Sequence, residues 1–205
     1  MDKMNNDNIN IDKFLNIPPS ETNPSGGMLL IASPMSADSI FARSVILLLE
    51  RGSDDTHLGL ILNLELELPV KNVIEGWPED SDMNLCSGGP VEMTQMFLLH
   101  RLEGIRDSVE ICPGLYCGGD MQQLLDYVES GKPTEGVMRI YVGYAGWGTD
   151  QLTKEILENS WAVNSSPKAD LLLTGTGQEF WRRAVGDLGE NYRSWLSMPI
   201  HPSCN

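Results

Sequence analysis

The sequence predicts an α+β fold, a single compact domain in which helices flank a mixed, partly antiparallel β-sheet. Three observations lead to this class. Apolar segments of strand length alternate with amphipathic helical segments, several neighbouring strands are separated by short polar loops, and the helices are too few and too unevenly spaced for a regular βαβ succession. A chain of 205 residues with no internal repeat or interior linker fits one such core.

The N-terminal residues differ in composition from the rest of the chain. They are rich in Asn, Asp, Pro and Ser and show little apolar periodicity. We therefore expect a flexible N-terminal arm over residues 1–24, followed by one domain over residues 25–205.

The first half of the domain predicts three buried strands and a short helix. The apolar runs MLLIA (28–32), SVILLLE (44–50) and HLGLILN (57–63) have strand length and are separated by polar residues. Pro69 suits the first position of a short helix, which Gly76 would end.

Three more strands are predicted in the second half. MFLLH (96–100) and SVEIC (108–112) are short and apolar, and VMRIYVG (137–143) alternates between apolar and other residues. WAV (161–163) and ADLLL (169–173) predict two short extended segments.

Two helices are expected between these strands. Asp120 suits the N-cap of a helix whose apolar residues recur at helical spacing and which Gly131 would end. Thr149 would cap the next helix, over about residues 149–159, in which Leu157 is among the side chains expected to face inward.

A last helix and three tryptophans complete the predicted core. Thr176 and Glu179 have the spacing of a capping box, which predicts a helix start before the apolar residues that follow. We expect Trp147, Trp161 and Trp181 to be largely buried.

Charge argues against several classes of partner. The chain carries a net charge of −15 with a pI near 4.4, and residues 50–82 hold nine acidic side chains. Binding to nucleic acid or to an anionic membrane depends on clustered Lys and Arg, and the fourteen basic residues here are scattered. We expect neither direct nucleic-acid binding nor membrane binding.

No apolar run exceeds about five residues, compared with about 20 needed to span a bilayer, and the N-terminus lacks the apolar core of a secretory signal. We therefore expect a cytoplasmic protein with four reduced cysteines.

No catalytic or cofactor motif stands out. The chain contains neither a phosphate-binding P-loop nor a G-x-S-x-G nucleophile motif, and LLLTGTGQEF (171–180) lacks the third glycine of a dinucleotide fingerprint. His57, His100 and His201 lie far apart in sequence, without metal-ligand spacing. We expect no catalytic residue, metal or cofactor and a solvated His57. His100 is expected to be a hydrogen-bonded or half-buried histidine at a strand end, and it is also a candidate for a functional surface.

Two polar or glycine-rich segments are candidates for a functional surface. Gly88 and Gly89 either form a tight turn or expose backbone amides to an anion. Asp38 and Arg43 either pair with each other to hold a turn or present a polar group beside a cleft.

GYAGWGTDQL (143–152) is a third candidate. Its glycines predict a tight reversal in which Trp147 wedges against the core. Gln151 and Glu155, four residues apart, share one flank of the helix that follows.

Several segments together resemble the YqgE/AlgH family of bacterial proteins. They are GGMLLIASPMSADSIFARSVILLLE, HLGLILN, SGGPVEMTQMFLLH, VGYAGWGTDQLTKEILENSWAV and the C-terminal HPSCN, in the expected order. The resemblance covers residues 26–205. One departure is Leu64-Glu65, where the family often has a basic residue and a proline.

The resemblance implies a barrel-like sheet with flanking helices. Some members are described as transcriptional regulators, and the family implies no enzyme activity, cofactor or active site. The sequence therefore favours a regulatory or protein-interaction protein that does not bind DNA directly. The alternative is an enzyme, or a protein that binds a small molecule or anion in a glycine-rich cleft.

Overall fold

The structure, a computed structural model, describes Ile17 and residues 23–36, 40–51 and 56–198, without the side chains of residues 50 and 51. The strands are β1 (Leu29–Ala32), β2 (Val45–Arg51), β3 (His57–Ile61), β4 (Glu65–Pro69), β5 (Asn84–Ser87), β6 (Val91–His100), β7 (Ser108–Cys112), β8 (Leu115–Gly118), β9 (Met138–Trp147) and β10 (Trp161–Asn164). The helices are α1 (Met121–Glu129), α2 (Gln151–Leu157), α3 (Ala169–Leu172) and α4 (Gly177–Asp187), with 3₁₀ helices at Val70–Asn72 and Glu190–Ser197.

The sheet is mixed and curled into a half-barrel. Its main path runs β10-β1-β2-β3-β9-β6-β8-β7 with antiparallel neighbours, while β5 pairs in parallel with β9 and antiparallel with β4. The predicted α+β fold, a single domain with flanking helices, is confirmed. Most of the predicted arm lies outside the described residues, so its flexibility stays a prediction.

Both faces of the sheet are buried, which explains why its central strands are continuous apolar runs. In β1, Leu29 and Ile31 face one core while Leu30 and Ala32 face the other. The first core is covered by α4 and the C-terminal 3₁₀ helix. The second face carries α2 at one end and α1 at the other.

Buried Asn63 joins three elements through its side-chain amide. Its Oδ1 accepts a hydrogen bond from the Val45 amide at 2.9 Å, and its Nδ2 donates to the carbonyls of Arg43 and Gly177 at 3.0 Å each. The amide thereby links the start of β2, the end of β3 and the start of α4. Losing it would leave buried backbone groups without partners, at about 1–3 kcal/mol each.

Gly88 connects β3 with β9 directly after β5. Its amide donates to the Val142 carbonyl at 2.8 Å, and its carbonyl accepts from the Ile61 amide at 2.9 Å. A Cβ at Gly88 would lie 2.2 Å from the Gly143 carbonyl oxygen, and a Cβ at Gly143 (φ +68°) would lie 2.4 Å from that of Gly89. Glycine is needed here because the two backbones cross in contact.

Several strands were missed or bounded wrongly. The sequence did not predict β4, β5 or β8, and β6 begins at Val91 rather than at residue 96. β9 continues to Trp147 instead of reversing near Gly146, because Trp147 and Gly146 pair with His57 and Leu58 of β3. Pairing with distant strands, which the local sequence does not encode, extends these elements.

Helix details also differ from expectation. Residues 169–172 form α3 rather than an extended segment, and Leu157 is 57% exposed instead of facing inward. The residue before α2 is Asp150, in a left-handed conformation, rather than Thr149. Thr176 does precede α4, but its side chain makes no capping hydrogen bond, so the predicted capping box does not form.

The predicted core residues are buried as expected. Trp147, Trp161 and Trp181 are 5%, 6% and 0% exposed. Trp181 also donates from Nε1 to the Ala32 carbonyl at 2.9 Å, which ties α4 to β1.

The glycine crossing yields a stability prediction. Gly88→Ala should reduce the free energy of unfolding by about 3 kcal/mol, because the new methyl group has to displace backbone atoms. Gly186→Ala at an exposed position of α4, where a Cβ meets nothing within 4 Å, is the matched control and should stabilise the protein by about 0.5–1 kcal/mol. Urea denaturation of both variants checks this, and equal effects would contradict the close crossing.

Candidate functional site

A groove opens where β3, β6 and β9 meet. It has a volume of about 420 Å³ and is called the β9 groove here; its lining residues are Thr56, His57, Leu58, Val91, Tyr144, Gly146 and Trp147. Most of these side chains are apolar or aromatic. The groove is therefore suited to side chains of a ligand rather than to a charged group.

Trp147 is held in the groove wall by a carboxylate. Its Nε1 donates to Glu155 Oε2 at 2.9 Å, and Nε1 of Trp161 donates to the same oxygen at 2.8 Å. The two indole rings meet edge to face with centroids 6.0 Å apart. Gln151 Nε2 donates to Glu155 Oε1 at 2.9 Å, and Gln151 Oε1 accepts from the Gly148 amide at 3.0 Å.

Glu155 and Gln151 therefore have a structural duty. The Glu155 carboxylate accepts three side-chain hydrogen bonds, which fix the orientation of two tryptophans and anchor α2 to the sheet. By holding Trp147 in place, Glu155 and Gln151 determine the shape of the groove wall.

His57 is buried, so the prediction of a solvated histidine is wrong. It is 4% exposed and lies opposite Trp147 in the β3–β9 pairing. The prediction failed because it considered only the polar turn before β3, whereas the burial of His57 depends on the pairing of β3 with a distant strand.

The first half of β6 projects exposed apolar side chains next to the groove. Val91, Met93 and Met96 are 37%, 48% and 48% exposed; together they are called the β6 strip. In this half of β6 only Val91 and Met96 pair with β9, opposite Tyr144 and Val142, so residues 92–95 bulge out opposite Gly143. Within the described residues β8 pairs with β6 only at Leu99 and His100, so β8 does not cover this bulge.

Arg43 lies elsewhere, against the core under α4. It is 7% exposed, its guanidinium lies 4.7 Å from the Trp181 ring, and Nη2 donates to the Met198 carbonyl at 2.8 Å. Burial lowers the pKa of Arg43, and nearby Arg182 lowers it further. Asp38, its predicted partner, lies outside the described residues.

His100 is also separate from the groove. It ends β6 fully buried, its Nδ1 accepts from the Leu102 amide at 3.2 Å, and its ring stacks on Tyr116. The expectation of a hydrogen-bonded strand-end histidine is confirmed. Burial lowers the pKa of His100, although the backbone of Gly118 and Leu102 offsets part of the shift.

The structure thus brings together some predicted residues and not others. Gly89 abuts the backbone of Tyr144 in the groove wall, next to Gly88, and Trp147, Gln151 and Glu155 follow along β9 and α2. Arg43 and His100 line neither this groove nor the second cavity described below. The Gly88 amide is engaged with Val142, so it does not face an anion.

The β6 strip was missed by sequence reasoning. VEMTQM precedes a predicted strand and alternates apolar with polar residues over its first four positions, which is the available signal. Among the described residues, no three His, Cys, Asp or Glu side chains lie together as metal ligands would. No helix in the described part of the chain is long and apolar enough to cross a membrane.

Comparisons with known proteins identify relatives over nearly the whole chain. Residues 29–193 match the family model described as AlgH-like. A UPF0301 protein of Bacteroides fragilis is 36% identical over 198 residues, which cover 97% of this chain and 100% of that protein. A UPF0301 protein of Chlamydia caviae is 38% identical over 178 residues, covering 84% of this chain and 91% of its own.

Two solved structures share the fold. A protein from Corynebacterium diphtheriae superposes with a TM-score of 0.72 at 24% identity, covering 91% of this chain and 98% of that one. The solution structure of the AlgH protein from Pseudomonas aeruginosa gives a TM-score of 0.63 at 25% identity, covering 88% of this chain and 98% of that one.

The carboxylate behind the groove yields a second prediction. Glu155→Gln replaces one acceptor oxygen by an amide donor, so the two indole N–H groups lose a charged acceptor and stability should fall by about 2 kcal/mol. Glu158→Gln, an exposed side chain near the same helix end, should change stability by less than about 0.5 kcal/mol. Chemical denaturation followed by tryptophan fluorescence measures both, and similar losses would contradict a specific role for Glu155.

His100 yields a prediction about pH. The unfolded chain binds a proton at His100 below about pH 6.5, whereas the folded protein, with its lowered pKa, binds it only at lower pH. The stability that neutral His100 contributes is therefore present above that value and is lost as pH falls. Between about pH 7.5 and 5.5 wild type should lose about 1 kcal/mol more than His100→Gln in urea denaturation. If the free energies of unfolding of wild type and His100→Gln fall equally with pH, His100 is not the source of the pH dependence.

Proposed function

The chain belongs to the AlgH-like family, and we propose that it is a cytoplasmic regulatory protein. It acts by binding another polypeptide, without catalysis and without direct contact to DNA. The observation that carries the proposal is the exposed β6 strip beside the β9 groove.

The exposed strip supports binding of an extended segment. Apolar side chains of such a segment can pack on the β6 strip, while the neighbouring side chains enter a depression beside it. The β9 groove, with Tyr144 and Trp147 in its wall, provides such a depression. Met93 and Met96 add flexible, polarisable contact surface, which suits binding to an apolar partner.

Charge complementarity specifies the partner further. The chain has a net charge of −15, and exposed Glu92 and Asp150 lie within three residues of groove-lining positions. We expect a basic segment whose apolar side chains alternate with Lys or Arg. The same charge opposes nucleic acid, whose binding requires cations on the protein.

A defined peptide probe tests this function. A 12-residue extended peptide alternating Lys with Val or Leu should bind with a micromolar dissociation constant at low salt, and a matched peptide with Glu in place of Lys should not. The double variant Met93→Ser, Met96→Ser should weaken binding about tenfold, because it removes the exposed apolar contacts. Fluorescence anisotropy measures both, and a mobility-shift titration with duplex DNA at low salt should show no complex.

Met121→Ser is the matched control, since Met121 is 41% exposed but lies on α1. It should bind the basic peptide as wild type does. Equal weakening in both variants, or binding unaffected by either, would show that the peptide meets only a generally acidic surface. A DNA complex at micromolar protein would overturn the proposal in favour of direct DNA binding.

A further inference from the structure

A second cavity lies at the opposite end of β9 from the β9 groove. Its volume is about 420 Å³, and it is enclosed by β4, β5, the end of α1, the loop after α1 and the start of β9. Its charged lining residues are Glu65, Asp80, Asp82, Lys132, Glu135 and Arg139. The two cavities share no lining residue, so we name this one separately, as the Arg139 pocket.

Arg139 is a buried cation with few partners. It is 7% exposed; its Nη1 donates to the Leu62 carbonyl at 3.3 Å, and its Nη2 lies 3.8 Å from Glu135 Oε1. The Glu135 side chain is 71% exposed, so that contact is loose and screened by water. A guanidinium has five N–H donors, and its partners here are the Leu62 carbonyl, the Tyr141 hydroxyl and the loosely held Glu135, which leaves donors for a ligand of the pocket that Arg139 lines.

The neighbouring groups leave the charge of Arg139 in place. Cys86 is buried in the cavity wall, and burial raises its pKa to about 11, so the thiol is neutral. Tyr141 is fully buried beside the same guanidinium, and burial raises the pKa of its hydroxyl. At neutral pH neither group supplies a negative charge, so the loose contact with Glu135 is the ion pair that the structure shows for this buried cation.

The exposed charges of the pocket are mostly of the opposite sign. Glu65, Asp80 and Asp82 are exposed lining residues and are called the rim, with Lys132 as an exposed basic residue, while buried Arg139 is called the floor. A ligand that is anionic throughout would be repelled there, while a ligand with an anionic end and a cationic end would match both the floor and the rim. The volume is in the range of small-molecule sites, about 300–1,000 Å³.

We propose that the Arg139 pocket binds a small zwitterion, an amino acid or a dipeptide, with its carboxylate on Arg139 and its ammonium group at the acidic rim. The ligand carboxylate takes the place of Glu135, which swings out to solvent. This site is additional to peptide binding at the β6 strip and does not depend on it.

A panel of free amino acids and dipeptides tests the proposal in the full-length protein. At least one compound should bind with a dissociation constant below about 1 mM in calorimetric titration. Its N-acetyl derivative, which lacks the ammonium group, and its amide, which lacks the carboxylate, should each bind at least about tenfold more weakly. No saturation by any compound at about 10 mM, or equal binding of the blocked derivatives, would overturn the proposal.

Three variants locate the site. Arg139→Gln should weaken binding of the free compound about tenfold or more. Because Arg139→Gln changes a buried side chain, the double rim variant Asp80→Asn, Asp82→Asn provides a second test at exposed positions. It should weaken the free compound several-fold but leave the N-acetyl derivative unchanged or tighter, since only the ammonium group uses the rim.

Asp126→Asn, an exposed acid on α1 outside the pocket lining, is the control and should bind as wild type. Binding that the rim pair leaves unchanged, or that Asp126→Asn weakens equally, would show that the ligand does not occupy the Arg139 pocket. Peptide binding at the β6 strip should be the same in all these variants, so failure of one proposal is distinguishable from failure of the other.

Discussion

The close crossing of the backbones at Gly88 and Gly143 is the constraint on which the rest of the structure depends. Because no side chain separates the two backbones, Gly88 can bridge β3 and β9 while β5 enters the sheet in parallel to β9. The crossing divides β9 into two parts. The first residues of β9 line the Arg139 pocket, and its last residues line the β9 groove. The two cavities therefore lie on either side of the crossing.

The buried polar groups differ in how fully they are partnered, and that difference separates scaffold from site. Buried Asn63 and half-buried Glu155 each make three side-chain hydrogen bonds of normal length, most of which join separate elements, and this is the role of a structural polar group. Arg139 has one long hydrogen bond, one loose ion pair and the Tyr141 hydroxyl beside it. An under-partnered buried cation next to a cavity points to a ligand rather than to packing.

Acidity has a different consequence at each place. Over the whole surface it favours basic partners and opposes nucleic acid, which is consistent with a regulatory role that works through proteins. At the Arg139 pocket exposed acids lie around a buried basic residue, and this arrangement is the basis for the proposed ligand with two opposite charges. The β6 strip carries no charge of its own and contributes apolar contact beside that acidic field.

The sequence by itself determined the fold class, the continuous apolar strands, the two longer amphipathic helices, the buried tryptophans and the strand-end environment of His100. These follow from periodicity, turn residues and apolar length, which are local properties. Only the tertiary structure decided the full length of β6 and β9, the burial of His57, the bonding of Gln151 and Glu155 to tryptophans, and the pocket over Arg139. The physical reason is that each of these depends on contacts between segments far apart in the chain, since a hydrogen bond or a covering side chain from another strand leaves no periodic trace in the residues that it satisfies.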